Sequence, residues 1–156
     1  MRGKQAKKRV LQPDLKFNDR VVTQFINYIM VDGKKTVAEG LVYDAMKKLS
    51  EKTNMGELES FNKALDNLKP KIELRSRRVG GANYQVPVPV TESRQLILAM
   101  RWIIKATRES RGNKGSSEAL FVQLLNAFNK EGNAYKKKEE VHKMAEANKA
   151  FSHLSW

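Results

Sequence analysis

Three arginines, Arg75, Arg77 and Arg78, stand in the segment RSRRVGGANYQVPVPV (residues 75–90) beside paired glycines and paired prolines. A guanidinium offers phosphate oxygens two parallel N–H donors, so the chemistry of this segment is anion recognition. Gly80 and Gly81 accept the positive φ of a two-residue hairpin turn, and Asn83, Tyr84 and other strand residues flank it. Pro87 and Pro89, two apart, direct their missing N–H groups to one edge and leave the other edge free to pair with residues 72–79. The expected element is a two-stranded antiparallel ribbon over about 72–90, standing clear of the body. A bare ribbon is marginal in water, which makes it an arm that settles on a partner. Tyr84 could stack on a base, or pack across the ribbon from Arg78 or Val79.

Other chemistry is hard to assemble from these residues. His142 and His153 are the only histidines, and eleven residues of helix would hold them about 16 Å apart, too far to share a metal. No G-x-x-x-x-G-K-[ST], G-x-G-x-x-G, H-E-x-x-H or G-x-S-x-G pattern occurs, and the glycine pair alone is too short to cradle a phosphate. Glu139 and Glu140 adjoin three lysines and fit surface ion pairs. The chain is therefore expected to have no catalytic site, no cofactor and no metal, and not to be an enzyme.

Composition agrees with a polyanionic partner. Thirty Lys and Arg face 17 acids, a formal charge of +13, which repels itself in a free protein and suits nucleic acid. The 156 residues, 40% hydrophobic, suffice for one domain with a core. Zero cysteines exclude disulfides and cysteine zinc sites. The apolar runs, such as residues 96–100, fall far short of the ~18 needed to span a bilayer. MRGKQAKKRV leads into no apolar signal region, so a cytoplasmic location is expected.

These observations divide the chain into a basic tail, residues 1–17, and a mainly helical domain, residues 18–156, that carries the arm. Arg2, Lys4, Lys7, Lys8 and Arg9 precede the first acid, Asp14; such a charge block is expected to stay disordered until it meets its partner. A first helix follows Asn18 or Asp19 on the spacing of Val21, Val22, Phe25, Ile26, Ile29 and Met30, with Gly33 to end it. Thr36 and Glu39 form a capping-box pattern before a second helix, which leaves Lys34 and Lys35 in the turn between. Leu58, Phe61, Leu65 and Leu68 mark a third, stopped at Lys69 by Pro70.

A fourth helix, capped by Thr91 or Ser93, places Arg94, Arg101, Lys105 and Arg108 within about 60° of one another while Ile97, Met100, Ile103 and Ile104 point elsewhere. Trp102 borders the apolar side. Arg111 and Lys114 lie in a basic loop before a fifth helix carrying Leu120, Phe121, Leu124, Leu125 and Phe128 and closed by Gly132. The sixth helix runs through KKKEEVHKMAEANKAF, with Val141, Met144, Asn148 and Phe151 on one side. It adds Lys136, Lys137 and Lys138 as phosphate-facing cations. His142, Lys143 and Lys149 lie beside them as further RNA contacts, although His142 also fits an ordinary surface or cap role.

Three stretches together, RRVGGANYQVPV at 77–88, AMRWI at 99–103 and HKMAEANKAFSHLSW at 142–156, resemble the family of bacterial small-subunit ribosomal protein seven, and GKK at 33–35 fits it too. The resemblance covers nearly the whole chain from Arg20 onward. It implies a six-helix domain with a β-arm that binds the 3′ major domain of small-subunit rRNA, nucleates assembly of the subunit head and lies beside exit-site tRNA and the mRNA exit path. It also implies ribosomal proteins nine and eleven as neighbours. The chain departs from the pattern at TESRQ (91–95), which is less basic than is usual after the arm, at Pro89 and at Ser155.

Binding of that kind reads RNA by shape, because the A-form major groove is too narrow for side chains. Separate basic surfaces on one rigid core could clamp several RNA segments. An architectural DNA-binding protein with a basic β-arm is the alternative, although such proteins usually dimerise and wedge apolar side chains into a minor groove.

Overall fold

The computed structural model describes Gly3, Ala6 and residues 9–154. Arg2, Lys4, Lys7 and Lys8 of the expected tail, and Ser155, lie outside the described residues. Six α-helices, a two-stranded sheet and a terminal 3-10 helix follow one another. Asp19 caps α1 (Arg20–Ile29) by accepting the Val21 N–H, a bond that satisfies one of the helix's orphan donors. After α1 the chain turns through Asp32 and Gly33, both at positive φ, and enters α2 (Lys35–Thr53). The capping box expected at Thr36 does not form. Helix α2 starts two residues earlier, Lys34 makes no side-chain cap, and Glu39 reaches Lys35 at 3.6 Å instead.

Helix α3 (Glu57–Leu68) stops before Pro70, as its sequence predicts. Strands β1 (Ile72–Val79) and β2 (Ala82–Pro89) follow, then α4 (Glu92–Ser110) and α5 (Ser116–Phe128). Gly132 does not close α5, which ends at Phe128. It opens α6 (Gly132–Ala147) at φ +82, where an added Cβ would stand 3.0 Å from Cβ of Asn126. Helix α6 also stops short of Phe151, and a 3-10 helix (Lys149–Leu154) completes the described chain. The side expected to be apolar is only partly the buried one: Ala134 and Ala145 are buried with half-buried Val141 between them, whereas Met144 is exposed.

The core lies among α1 to α5. Phe25 and Phe61 meet edge to face at 5.2 Å, and Ile26, Met46, Leu49, Leu68, Met100, Ile103, Leu120 and Leu124 close around them without solvent contact. Each such side chain contributes roughly 1.5–3 kcal/mol by leaving water. Helix α6 adds only Ala134 and half-buried Tyr135 to this cluster, so it can keep lysines on most of its circumference. Among the described residues no helix is long and apolar enough to cross a membrane.

The acid that ends the basic segment already belongs to the body. Asp14 is buried, and its carboxylate accepts the backbone N–H groups of Phe17 at 2.8 Å, Asp19 at 2.9 Å and Lys16 at 3.1 Å, with the Tyr43 hydroxyl at 3.3 Å. Residues 15–17 form a turn around it, so the expectation of a tail reaching to residue 17 gives way to a body that begins at Asp14. Burial alone would raise the Asp14 pKa, but these donors outweigh it and hold the carboxyl below its ordinary value. The anchor links the entry of α1 to α2 and sets Phe17 against Tyr43 at 5.8 Å.

The ribbon has the expected form. Gly80 and Gly81 both take positive φ, as a type I′ turn requires, and Val79 pairs with Ala82 through to Ile72 with Pro89. Hydrogen-bonded and open pairs alternate along an antiparallel ladder. Pro87 and Pro89 fall in open pairs, where a missing N–H costs nothing. The ribbon does not stand wholly clear, however. One face carries Tyr84 and Val86 against the C-terminal segment: the Tyr84 ring lies 5.1 Å from that of Phe151, and Val86 has no solvent contact. Tyr84 sits opposite Arg77, not Arg78 or Val79. An isolated hairpin lacks enough apolar burial to persist, and the terminal 3-10 helix supplies it.

Asp14→Ala is expected to destabilise the domain by about 1–3 kcal/mol, measured by urea denaturation, because buried backbone donors lose a charged acceptor. With its folded pKa below that of the unfolded chain, the Asp14 contribution is complete above about pH 4 and fades as the pH falls through the folded value. In the variant, that part of the acid slope of stability is expected to vanish.

Candidate nucleic-acid interface

At the base of the arm, two cations expected to face RNA also pair with an acid. Glu73 accepts Nη2 of Arg75 at 2.8 Å and Nε at 3.0 Å through one oxygen, and Nε of Arg94 at 3.3 Å through the other. Its side chain is only 13% exposed. Arg94 thereby ties α4 to β1. Glu73 escaped the sequence reading, although a lone acid in an arginine-rich strand was the available signal.

The end of the ladder exchanges partners. Val90 N–H donates to the Lys71 carbonyl at 3.0 Å, the bond due at that pair. The reciprocal bond is replaced on both sides: Lys71 N–H donates to Nε2 of His142 at 3.1 Å, and the Val90 carbonyl accepts Nε2 of Gln95 at 2.9 Å. His142 must therefore be neutral at Nε2. Burial, and then the charges of Lys138 and Lys71, lower its pKa below the ordinary value. His142 is thus a joint between α6 and the arm.

The exposed cationic ridge of α4 is Arg101, Lys105 and Arg108, opposite buried Ile103 and about 10 Å long at 1.5 Å per residue. Arg101 lies over the Tyr28 ring at 5.5 Å, and Lys105 reaches Glu109 at 3.7 Å, a weak exposed pair. The fold extends the ridge in a way the helical wheel cannot show. Lys34 from the turn before α2, Arg108, and Arg111 from the loop after α4 line one hollow. Lys35 and Lys114 are exposed nearby in sequence, and the Lys114 carbonyl accepts Nε of Arg111 at 3.5 Å. On the other flank, Lys137 shares a shallow depression with Lys105 and Trp102. Trp102 is half-buried against the core.

The three consecutive lysines of α6 separate. Lys136 and Lys137 are exposed, with Lys137 3.1 Å from Glu140. Lys138 donates to the Asn67 carbonyl at 2.5 Å, covering the end of α3, and burial, followed by the charge of Lys130, lowers its pKa. Lys143 and Lys149 are exposed beside His142, in the hollows between α6 and the arm. On the arm itself, neighbours alternate faces. Arg78 and Asn83, paired with each other, are exposed with Gly80 and Gly81, while Arg77 shares the inner face with Tyr84 and is half-buried. Arg9 is exposed. Among the described residues no three His, Cys, Asp or Glu side chains converge as a metal site would need.

His142→Ala is expected to loosen the arm base, read as lower hydrogen-exchange protection of the Lys71 amide with the core amides unchanged. In the wild type the same protection is complete above about pH 6.5 and is lost as the pH falls from there through the lower folded pKa of His142, because protonated Nε2 cannot accept.

Comparison with known proteins joins this geometry to a lineage. The family profile described as ribosomal protein S7p/S5e matches residues 1–149. The small ribosomal subunit protein uS7 of Treponema denticola is 52% identical over 155 residues, covering 99% of each chain. That of Thermosipho africanus is 51% identical over 156 residues, with both chains covered completely. The uS7 of Phenylobacterium zucineum is 54% identical over 156 residues, or 99% of each chain. The matches run along the whole chain, and the chain belongs to the ribosomal protein S7p/S5e family.

Proposed function

We propose that this chain is a structural, non-enzymatic protein of the small ribosomal subunit that binds the 3′ major domain of its rRNA and nucleates assembly of the subunit head. The observation that carries the reading is the convergence of Lys34, Arg101, Lys105, Arg108 and Arg111 on one side of a rigid helical core. Exposed cations at fixed spacing recognise the path of a folded backbone without reading its bases. The Lys136 and Lys143 side of α6 supplies a second surface, Lys137 extends the ridge beside Lys105, and Lys35, Lys114, Lys149, Arg9 and the tail cations Arg2, Lys4, Lys7 and Lys8 add to the charge. Arg75, Arg94, Lys138 and His142 hold the arm and helices in place, and act on RNA through the geometry they maintain.

The arm turns Arg78, Gly80, Gly81 and Asn83 outward. In this reading those residues reach exit-site tRNA and mRNA, while ribosomal proteins nine and eleven flank the body and the protein works in the cytoplasm. The DNA-binding alternative has less support, since the inner face of the arm is spent on Phe151 and offers no apolar wedge for a minor groove.

Binding of the wild type to a transcript of the 3′ major domain is expected to weaken roughly a thousandfold or more between about 50 and 200 mM salt if six or more phosphates are neutralised. A nearly flat titration rejects the clamp. Replacing Arg101, Lys105 and Arg108 together by Gln is expected to reduce both affinity and salt slope while moving Tm by no more than about 2 °C, as exposed positions allow. Arg78→Ala with Asn83→Ala is expected to leave incorporation into subunits intact and to alter tRNA retention or reading-frame fidelity. Failed incorporation with normal fidelity would make the tip an assembly element.

A further inference from the structure

The hollow at the end of the α4 ridge holds about 220 Å³, and its walls are of two kinds. Its floor is aliphatic: Met30, Leu41, Val31 and Val37 line it, with Val31 57% and Val37 65% exposed to water. Its rim is cationic, formed by Lys34, Arg108 and Arg111, and no carboxylate is among its lining residues. Among the described residues neither Lys34 nor Arg108 has an ion-pair partner. Helices α2 and α5 both begin at this rim without a side-chain cap, which adds the positive ends of two helix dipoles to the three side chains.

Phosphate binding explains the rim but not the floor. Duplex RNA stacks its bases inward and would lay only sugars and phosphates across the hollow, leaving two branched aliphatic side chains wet. A nucleotide turned out of a loop or bulge satisfies both parts, its base covering the valines and its phosphate meeting the rim. We infer that this hollow receives the base of one unpaired rRNA nucleotide, whose phosphate is held by Lys34, Arg108 and Arg111. The inference rests on the rRNA-binding reading above and names what one part of that surface recognises. RNA is favoured over an acidic, apolar protein segment by continuity: Arg108 lines both this hollow and the adjoining depression of Tyr28, Arg101 and Lys105. One RNA strand that follows the α4 ridge therefore arrives at the hollow.

The test uses the intact protein and a transcript of the 3′ major domain, titrated at several salt concentrations. Val31→Ser with Val37→Ser is expected to weaken binding by roughly five- to tenfold at every salt with an unchanged slope, because the lost contact is to a base and not to a phosphate. Arg108→Gln is expected to lower the slope by about one and supplies the scale. In dimethyl sulfate probing, one unpaired base protected by the wild type becomes reactive in the valine variant. Val37→Ser alone repeats the measurement if the double variant loses helicity. Unchanged affinity and unchanged protection overturn the inference, and if subunit incorporation is lost at the same time the hollow takes a protein segment. Failure of the wild type to bind the transcript at all rejects the broader reading instead.

Discussion

A side-chain charge left unpaired in an apolar interior costs far more than any single contact returns, and that constraint orders this molecule. With nearly twice as many cations as acids, the chain cannot neutralise its surplus internally. Helices α1 to α5 therefore bury aliphatic and aromatic faces together and leave most of the Lys and Arg outside. The surplus is then arranged by where the core puts each helix. Ridge, turn and loop cations come together because α1 and α4 end, and α2 begins, near one another around Met30, Leu41 and Thr107. Packing decides the spacing of the charges, and spacing decides which anion fits them.

The few acids and neutral acceptors placed near cations act as fasteners. Glu73 draws Arg75 and Arg94 into one cluster at the arm base, and His142 and Gln95 replace the final rung of the β-ladder with side-chain bonds. Tyr84 on Phe151 finishes the attachment further along. The two-stranded arm thus gets its order from α4, α6 and the terminal 3-10 helix, which lets its outer face and turn remain exposed. Asp14 plays the same role at the other end of the domain, where three backbone N–H groups and Tyr43 converge on a buried carboxylate.

Signals that act over a few residues were the ones legible in the chain. The hairpin at Gly80 and Gly81, the permissible positions of Pro87 and Pro89, the cap at Asp19, the stop at Pro70 and the ridge of α4 all depend on dihedral freedom or on i to i+4 neighbours. Misreadings came where two local signals competed. The Thr36 capping pattern lost to a turn that delivers the chain into helix at Lys35. Gly132 fits the end of one helix as well as the start of another, and close approach to Asn126 selects the start. On α6 the apolar stripe is only partly buried, because small Ala134 and Ala145 form its most buried positions while Met144 stays exposed.

The sequence by itself determined a helical domain with a basic arm, a polyanionic partner and, through its resemblance, the family. Only the tertiary structure decided which cations remain open. Lys136 and Lys138 look equivalent in sequence, yet one meets solvent and the other covers the end of α3. Arg94 and Arg101 share a helix face, yet one is claimed by Glu73 and the other lies over Tyr28. Lys34 and Arg108 are far apart along the chain and line the same hollow. The reason is that helix and turn formation are governed by near neighbours, whereas the availability of a charge depends on distance in space and on burial, which exist only once the core has closed.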